Sequence, residues 1–70
     1  MFKCFNKNGY HVQQIIDLEY GSREVIISTI RTGERLKHYL DFNYSDIDEN
    51  ISFLDEMADK LLGEIENKKS

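Results

Sequence analysis

The stretch that decides the fold is residues 45–68, SDIDENISFLDEMADKLLGEIENK. Its apolar residues recur at steps of three and four, the spacing that places them on one side of a helix. Ser45 is a favourable N-cap residue, and acidic residues in the first turn and lysines in the last have the signs that the helix dipole favours. The pattern therefore predicts one amphipathic helix, whose buried stripe consists of Ile47, Ile51, Leu54, Ala58, Leu61, Leu62 and Ile65.

The chain before this helix is divided by three turn glycines spaced twelve apart, Gly9, Gly21 and Gly33. Asn8-Gly9 is a strong hairpin signal, because both residues accept a positive φ. Strands joined by such short turns must be antiparallel neighbours. We therefore expect strands at residues 1–5, 10–20, 23–31 and 35–42, and an α+β fold in which the C-terminal helix covers a four-stranded antiparallel meander.

A single helix covers only one face of such a sheet. The third strand is apolar on both sides, with Val25 and Ile27 pointing one way and Ile26 and Ile30 the other. A sheet with one solvated face would alternate cleanly there. The uncovered face therefore favours self-association, and we expect a homodimer. The alternation also predicts that this face carries Lys3, Phe5, Ile15, Arg35, Lys37 and Tyr39, with Arg23 and Arg31 at the ends of the third strand.

The length and composition limit the class of protein. Seventy residues form one small domain, residues 1–70, with a limited core. The lone cysteine, Cys4, allows no internal disulfide, and no apolar run is long enough for a signal peptide or a membrane span. We expect a cytoplasmic protein that does not contact a membrane. The chain is rich in Asn, Lys, Ile and Tyr and lacks Pro and Trp, as is typical of AT-rich coding sequences in phages and low-GC bacteria.

Four acidic residues of the predicted helix lie on one narrow strip, roughly 100° from the buried stripe. Two of them, Asp55 and Asp59, are like charges four apart, which is mildly destabilising, so the strip is not arranged for helix stability. It either complements a basic partner or is an ordinary solvated surface. We call this strip the acidic helix face; its members are Asp48, Asp55, Asp59 and Glu66.

Phe53 and Met57 lie four residues apart on the opposite flank of the buried stripe. Two roles are open for this pair. They either widen the core or meet a second copy, or they serve as a hydrophobic anchor for a partner, since aromatic residues and Met are favoured in such anchors.

The sequence contains no arrangement typical of catalysis. A Ser-His-Asp order, a glycine-rich phosphate loop and an HExxH motif are all missing. His11 and His38 are predicted to lie on opposite sheet faces, and Cys4 is predicted to be a small buried hydrophobe. We therefore expect neither an enzyme nor a bound metal or cofactor.

These patterns predict a small binding or regulatory protein that engages a protein partner through the acidic helix face, with Phe53 and Met57 as its apolar contact. A phage or mobile-element inhibitor of a host enzyme would fit this description. The alternative is a single-stranded nucleic-acid-binding module, because basic and aromatic residues on one face can track phosphates and stack bases. Its site would consist of Lys3, Arg35, Lys37 and Tyr39, and the net charge of −4 weighs against it. A third class is a purely structural assembly subunit.

Overall fold

The computed structural model describes residues 1–43 and 46–69, and it confirms the predicted ββββα arrangement. Within these residues, four antiparallel strands form one open sheet in chain order, and one helix follows them. The elements are β1 (Phe2–Lys7), β2 (Tyr10–Asp17), β3 (Ser22–Thr29), β4 (Arg35–Phe42) and α1 (Ile47–Lys69).

The first two hairpins show why their strands end where they do. Asn8 and Gly9 have φ values of 53° and 85°, the pair of positive angles that a type I′ turn requires. In the second hairpin, Asp17 Oδ1 accepts hydrogen bonds from the backbone N–H of Glu19 at 3.0 Å and of Tyr20 at 3.3 Å. This local turn ends β2 at residue 17, three residues earlier than predicted.

The third hairpin closes earlier than predicted as well. The N–H of Thr29 donates to the carbonyl oxygen of Glu34 at 2.9 Å. The N–H of Gly33 donates to the carbonyl oxygen of Thr29, also at 2.9 Å. As a result β3 ends at residue 29 rather than 31, and Ile30 lies in the turn, where its side chain is exposed.

The pairing of β3 with β4 fixes which side chains share a sheet face, because directly opposite residues point to the same side. Val25 pairs with Tyr39, and Ile27 pairs with Lys37. Since Val25 and Ile27 are fully buried beneath the helix, Tyr39 and Lys37 lie on the covered face, and their predicted placement on the uncovered face is wrong. The sequence predicts that the other side of β4 faces the helix, because the residues that alternate with Lys37 and Tyr39, among them Leu40, are the more apolar set.

The register of this strand pair also shifts between Ile27 and Ser28, since Ile27 pairs with Lys37 but Ser28 pairs with Arg35. The shift leaves Leu36 as the extra residue of a bulge. Leu36 consequently packs, partly buried, against the core. A bulge of this kind breaks the strict alternation on which the sequence prediction relied.

The core lies between α1 and the covered face of the sheet. Phe5 also packs against it, because Phe5 pairs with the buried Val12, so its predicted place on the uncovered face is wrong. Of the predicted helical stripe, Ile51 and Leu61 are half-buried and Ile47 is exposed at the first helical position. The buried apolar residues are Tyr10, Val12, Ile16, Val25, Ile27, Leu54, Ala58, Leu62 and Ile65.

The helix begins with a side-chain cap. Asp46 Oδ1 accepts hydrogen bonds from the N–H of Asp48 at 2.7 Å and of Glu49 at 3.4 Å, and the Asp46 carbonyl oxygen accepts the first helical bond, from Asn50. These contacts make Asp46 the N-cap residue. Ser45, the predicted cap, lies outside the described residues.

Candidate functional site

Two residues of the acidic helix face contact the first half of the sheet. Asp55 Oδ1 accepts a hydrogen bond from Gln14 Nε2 at 2.9 Å and lies 3.5 Å from Lys3 Nζ. Asp59 Oδ1 lies 2.9 Å from Lys7 Nζ. These contacts place the middle of the acidic helix face beside β1. The two aspartate side chains nevertheless keep 49% and 68% of their surface exposed.

The other two residues of the acidic helix face lie near the ends of α1. Asp48 is in the first turn and Glu66 in the last, and both are exposed. At 1.5 Å of rise per residue, the four carboxylates extend over about 27 Å. The structure therefore presents all four predicted acidic residues to solvent along one long element.

The charge of the chain is unevenly distributed between the sheet and the helix. Residues 1–46 carry six basic and six acidic side chains, whereas α1 carries seven acidic and three basic ones. The whole net charge of −4 is therefore carried by the helix. Such a separation creates a directional electric field at the helical side of the molecule.

Phe53 and Met57 are half-buried and pack against the core, as expected for residues that widen it. The Phe53 ring lies 5.7 Å from the Tyr39 ring, measured between centroids. The Arg23 guanidinium lies 3.6 Å from the Phe53 centroid, within the range of a cation–π contact. Much of the Phe53 ring is thus engaged inside the molecule.

Arg23 is the centre of a polar cluster that the sequence pattern does not indicate. The residue is only 8% exposed and lies on the covered face, so its predicted role as a basic group flanking the uncovered face is wrong. It binds Asp41 through two bonds, Nε to Oδ1 at 2.6 Å and Nη2 to Oδ2 at 2.9 Å. It also donates to Asn50 Oδ1 at 3.1 Å, and Tyr39 donates its hydroxyl to Asp41 Oδ2 at 2.5 Å. The cluster ties β3 and β4 to the buried side of α1.

The cluster shifts the pKa values of its members. Hydrogen bonds from Arg23 lower the pKa of the Asp41 carboxyl, because they stabilise its charged form. The bond to Asp41 raises the pKa of Tyr39, since it favours the neutral phenol, and partial burial acts in the same direction. Arg23 has a raised pKa for the same reason, its bonds to Asp41. The cluster is therefore a charged Arg–Asp pair with a neutral tyrosine.

The structure does not assemble the predicted nucleic-acid site. Lys3 pairs with the buried Gln14 and reaches Asp55, so it lies on the covered side of the sheet. Lys37 lies 3.4 Å from Glu64 on α1, and Tyr39 is engaged by Asp41 and the Phe53 ring. Three of the four predicted residues thus point toward the helix, and their placement on an open binding face was wrong. Arg35, the fourth, is exposed at the start of β4.

The sheet face opposite α1 is left uncovered by the described elements, and we call it the open sheet face. It consists of the side chains that point to the same side of the sheet as two residue pairs, Phe2 with Ile15 and Glu24 with Leu40. Phe2, Leu40 and Phe42 keep 57%, 49% and 68% of their surface exposed. The apolar members of the face are Phe2, Ile15, Ile26, Leu40 and Phe42.

Both histidines and the cysteine also lie on the open sheet face. His11 pairs with Ser28, and its ring nitrogen Nδ1 lies 2.9 Å from Asn6 Oδ1. His38 pairs with Ile26, and its ring is hydrogen-bonded to Glu24. The predicted placement of the two histidines on opposite faces is therefore wrong. Cys4 is exposed rather than buried, because β1 is an edge strand and its register turns the thiol away from the helix.

Cavities lined by the described residues lie at the sheet and beside the helix. One of about 280 Å³ lies at one end of the open sheet face, beside His11 and Gly33. Another, of about 300 Å³, lies between β4 and α1, beside Lys37 and Ile65. In residues 1–43 and 46–69, no three His, Cys, Asp or Glu side chains are grouped closely enough to hold a metal ion.

The helical part of the described chain does not include a segment with the length and apolar character needed to span a membrane. Comparisons with protein-family models, with curated proteins and with solved structures give no match for this chain.

Proposed function

We propose that this chain is a small, non-enzymatic binding protein that engages a basic protein partner through its acidic helix face. The distribution of charge supports this role, because α1 carries the entire net charge while residues 1–46 are neutral in sum. Complementary potentials of this kind steer a partner and raise its association rate. The affinity of the complex should accordingly fall with ionic strength.

The fixed positions of two carboxylates also favour binding. Gln14 and Lys3 hold Asp55, and Lys7 holds Asp59, so less side-chain freedom is lost when a partner binds. Exposed ion pairs of this kind contribute only about 0–1 kcal/mol each. A cationic side chain of a partner can therefore share or replace the lysine contacts at little cost to the fold.

The length of the acidic helix face indicates the class of partner. Four carboxylates spread over about 27 Å of helix present a row of negative charge that is similar to a phosphate backbone. A protein that binds nucleic acid has a basic groove suited to such a row. We propose that the chain inhibits an enzyme of this class by occupying its groove, in the manner of a phage or mobile-element inhibitor.

The experiment compares a variant that transfers negative charge from the helix to the sheet with variants that change the net charge. Immobilised protein would capture partners from a bacterial lysate, and each captured protein would be purified and titrated by calorimetry at two salt concentrations. The Lys7→Asp/Asp59→Lys double variant keeps the β1–α1 ion pair and the net charge but takes negative charge off the helix. Glu66→Lys and its control Glu34→Lys change the net charge equally, one on α1 and one in the third hairpin.

We expect the double variant and Glu66→Lys to weaken binding about tenfold or more, and Glu34→Lys to leave it nearly unchanged. Circular dichroism would verify that all variants remain folded. Equal binding by all of them would show that the acidic helix face is only a solvated surface.

A further inference from the structure

The open sheet face is exposed, and its side chains indicate what kind of molecule would cover it. Three of its apolar side chains, Phe2, Leu40 and Phe42, are each about half or more exposed. Its central charged residue is already paired, since Glu24 is hydrogen-bonded to His38 on the neighbouring strand. Because this central carboxylate is already paired, the face can be buried without leaving it isolated.

We propose that a second copy of this chain covers the open sheet face. The two sheets would pack face to face about a two-fold axis, so that each strand runs antiparallel to the same strand of the other copy. The inference concerns a different surface from that of the proposed function and does not depend on it. Each sheet would then lie between its own helix and the sheet of the partner, giving four layers.

The size of the face lies at the lower limit of what a specific dimer needs. Four strands about 4.8 Å apart, with about 3.3 Å of rise per residue over eight residues, cover about 500 Å² per copy. This figure does not count the additional surface of protruding side chains. Two such faces bury about 1,000 Å² or more together, which reaches the lower limit of specific protein interfaces. The face is thus large enough for one copy of itself, and packed sheets align within about 30° of each other.

The two ends of the face carry opposite charge, and this sets the orientation. Asp17 and Glu19 lie at the end where β2 runs into the second hairpin, while Arg31 and Arg35 lie at the other end, beside the third hairpin. Glu34 reduces the positive charge of that second end, and the Met1 ammonium, bonded to the Ile16 carbonyl oxygen, reduces the negative charge of the first; neither charge is cancelled. Only an antiparallel arrangement brings the acidic end of each copy to the basic end of the other.

The dimer leaves both acidic helix faces on its two outer surfaces, because each helix lies on the side of its sheet away from the interface. Partner binding and self-association therefore use separate surfaces. A variant that breaks one of them should leave the other intact, so the two proposals can fail independently.

The first test is sedimentation equilibrium from 1 to about 100 μM, together with thiol labelling. Leu40→Lys places a charge on the open sheet face, and its control Ile47→Lys places one at another exposed apolar position, on α1. We expect the wild type and Ile47→Lys to be dimeric and Leu40→Lys to dissociate about tenfold or more readily. Cys4 lies on the face, so its reaction with a thiol reagent should slow as the wild type dimerises and stay fast in Leu40→Lys.

The second test concerns the orientation. Arg35→Glu and Glu19→Lys should each weaken the antiparallel dimer, and the two changes together should restore part of the lost affinity, because the new lysine of one copy then lies at the end that meets the new glutamate of the other. In a parallel arrangement like ends meet, and the double variant would show no such rescue.

A wild type that is monomeric at about 100 μM would overturn the proposal. So would a dimer that survives Leu40→Lys and leaves Cys4 freely reactive, because that dimer would use another surface. Loss of the dimer without rescue by the double charge exchange would overturn the antiparallel orientation.

Discussion

At position 23, a buried arginine joins three elements of the molecule. Arg23 lies in β3, binds Asp41 on β4 through two hydrogen bonds, and contacts Asn50 and Phe53 on α1. A planar guanidinium can make these contacts together, since it pairs with a carboxylate in its own plane and stacks on a ring with its face. The residue therefore acts as a polar link between sheet and helix at the edge of the core.

The lowered pKa of Asp41 predicts how stability depends on pH. Its carboxyl has a lower pKa in the folded state than in the unfolded chain because of Arg23, so the unfolded state binds more protons in the acid range. The stabilisation is fully present above the unfolded pKa of about 3.9 and is lost as the pH falls through the folded pKa. Urea unfolding between pH 7 and pH 2.5 should show wild-type stability falling more steeply than that of Asp41→Asn.

The magnitude and the control of this prediction follow from the bonds that are lost. At pH 7, Asp41→Asn should lower the free energy of unfolding by about 1.5–3 kcal/mol, the usual contribution of hydrogen bonds to charged groups. The difference should shrink at low pH, where the wild-type carboxyl is protonated too. Glu34→Gln removes an exposed carboxyl at the other end of the strands and should follow the wild type. Parallel curves for Asp41→Asn and the wild type would contradict the prediction.

Among the elements, α1 contains a glycine that weakens it. Gly63 lies in the interior of the helix, which continues to Lys69, and an added Cβ at this position would meet no atom within 4 Å. The glycine therefore neither ends the helix nor permits a close approach to the sheet. We expect Gly63→Ala to raise the free energy of unfolding by about 1 kcal/mol, the difference in helix propensity between the two residues.

Chemical denaturation would measure the effect of Gly63→Ala, and Gly9→Ala supplies the opposite control. Gly9 also has open space around it, but its φ of +85° is unfavourable for alanine. Free space alone would make the two variants alike, whereas backbone conformation makes the first stabilising and the second destabilising. A destabilised Gly63→Ala would indicate a role for the glycine that helix propensity does not describe.

The elements also show what the sequence could predict. The three-and-four spacing of Leu54, Ala58 and Leu62 identified the helix and its buried side, because a helical period repeats over many residues. The phase of β4 was mispredicted, since eight residues with a bulge at Leu36 do not reveal which side faces the helix. The cluster around Arg23 left no sequence signal, because its partners lie 18 and 27 residues away.

As a whole, the molecule consists of two layers and is only 16 Å thick in its shortest dimension. Its apolar core lies entirely on one side of the sheet. A chain of 70 residues buries a small share of its surface, so its free energy of unfolding is expected to be modest. Covering the open sheet face with a second copy would give the sheet a second apolar layer, and association would then contribute to the stability of the fold.

This coupling predicts that thermal unfolding depends on protein concentration. If two chains unfold together, a tenfold increase in concentration stabilises the dimer by about 1.4 kcal/mol. With an unfolding entropy of about 2.1 cal/mol/K per residue over two chains, Tm should rise by about 5 °C for each tenfold increase. Calorimetry at 5, 50 and 500 μM would measure the shift. Leu40→Lys should unfold at a lower temperature than the wild type at each concentration, because its dimer dissociates about tenfold or more readily. A wild-type Tm that stays constant over this range would show that the two-layer monomer is stable by itself.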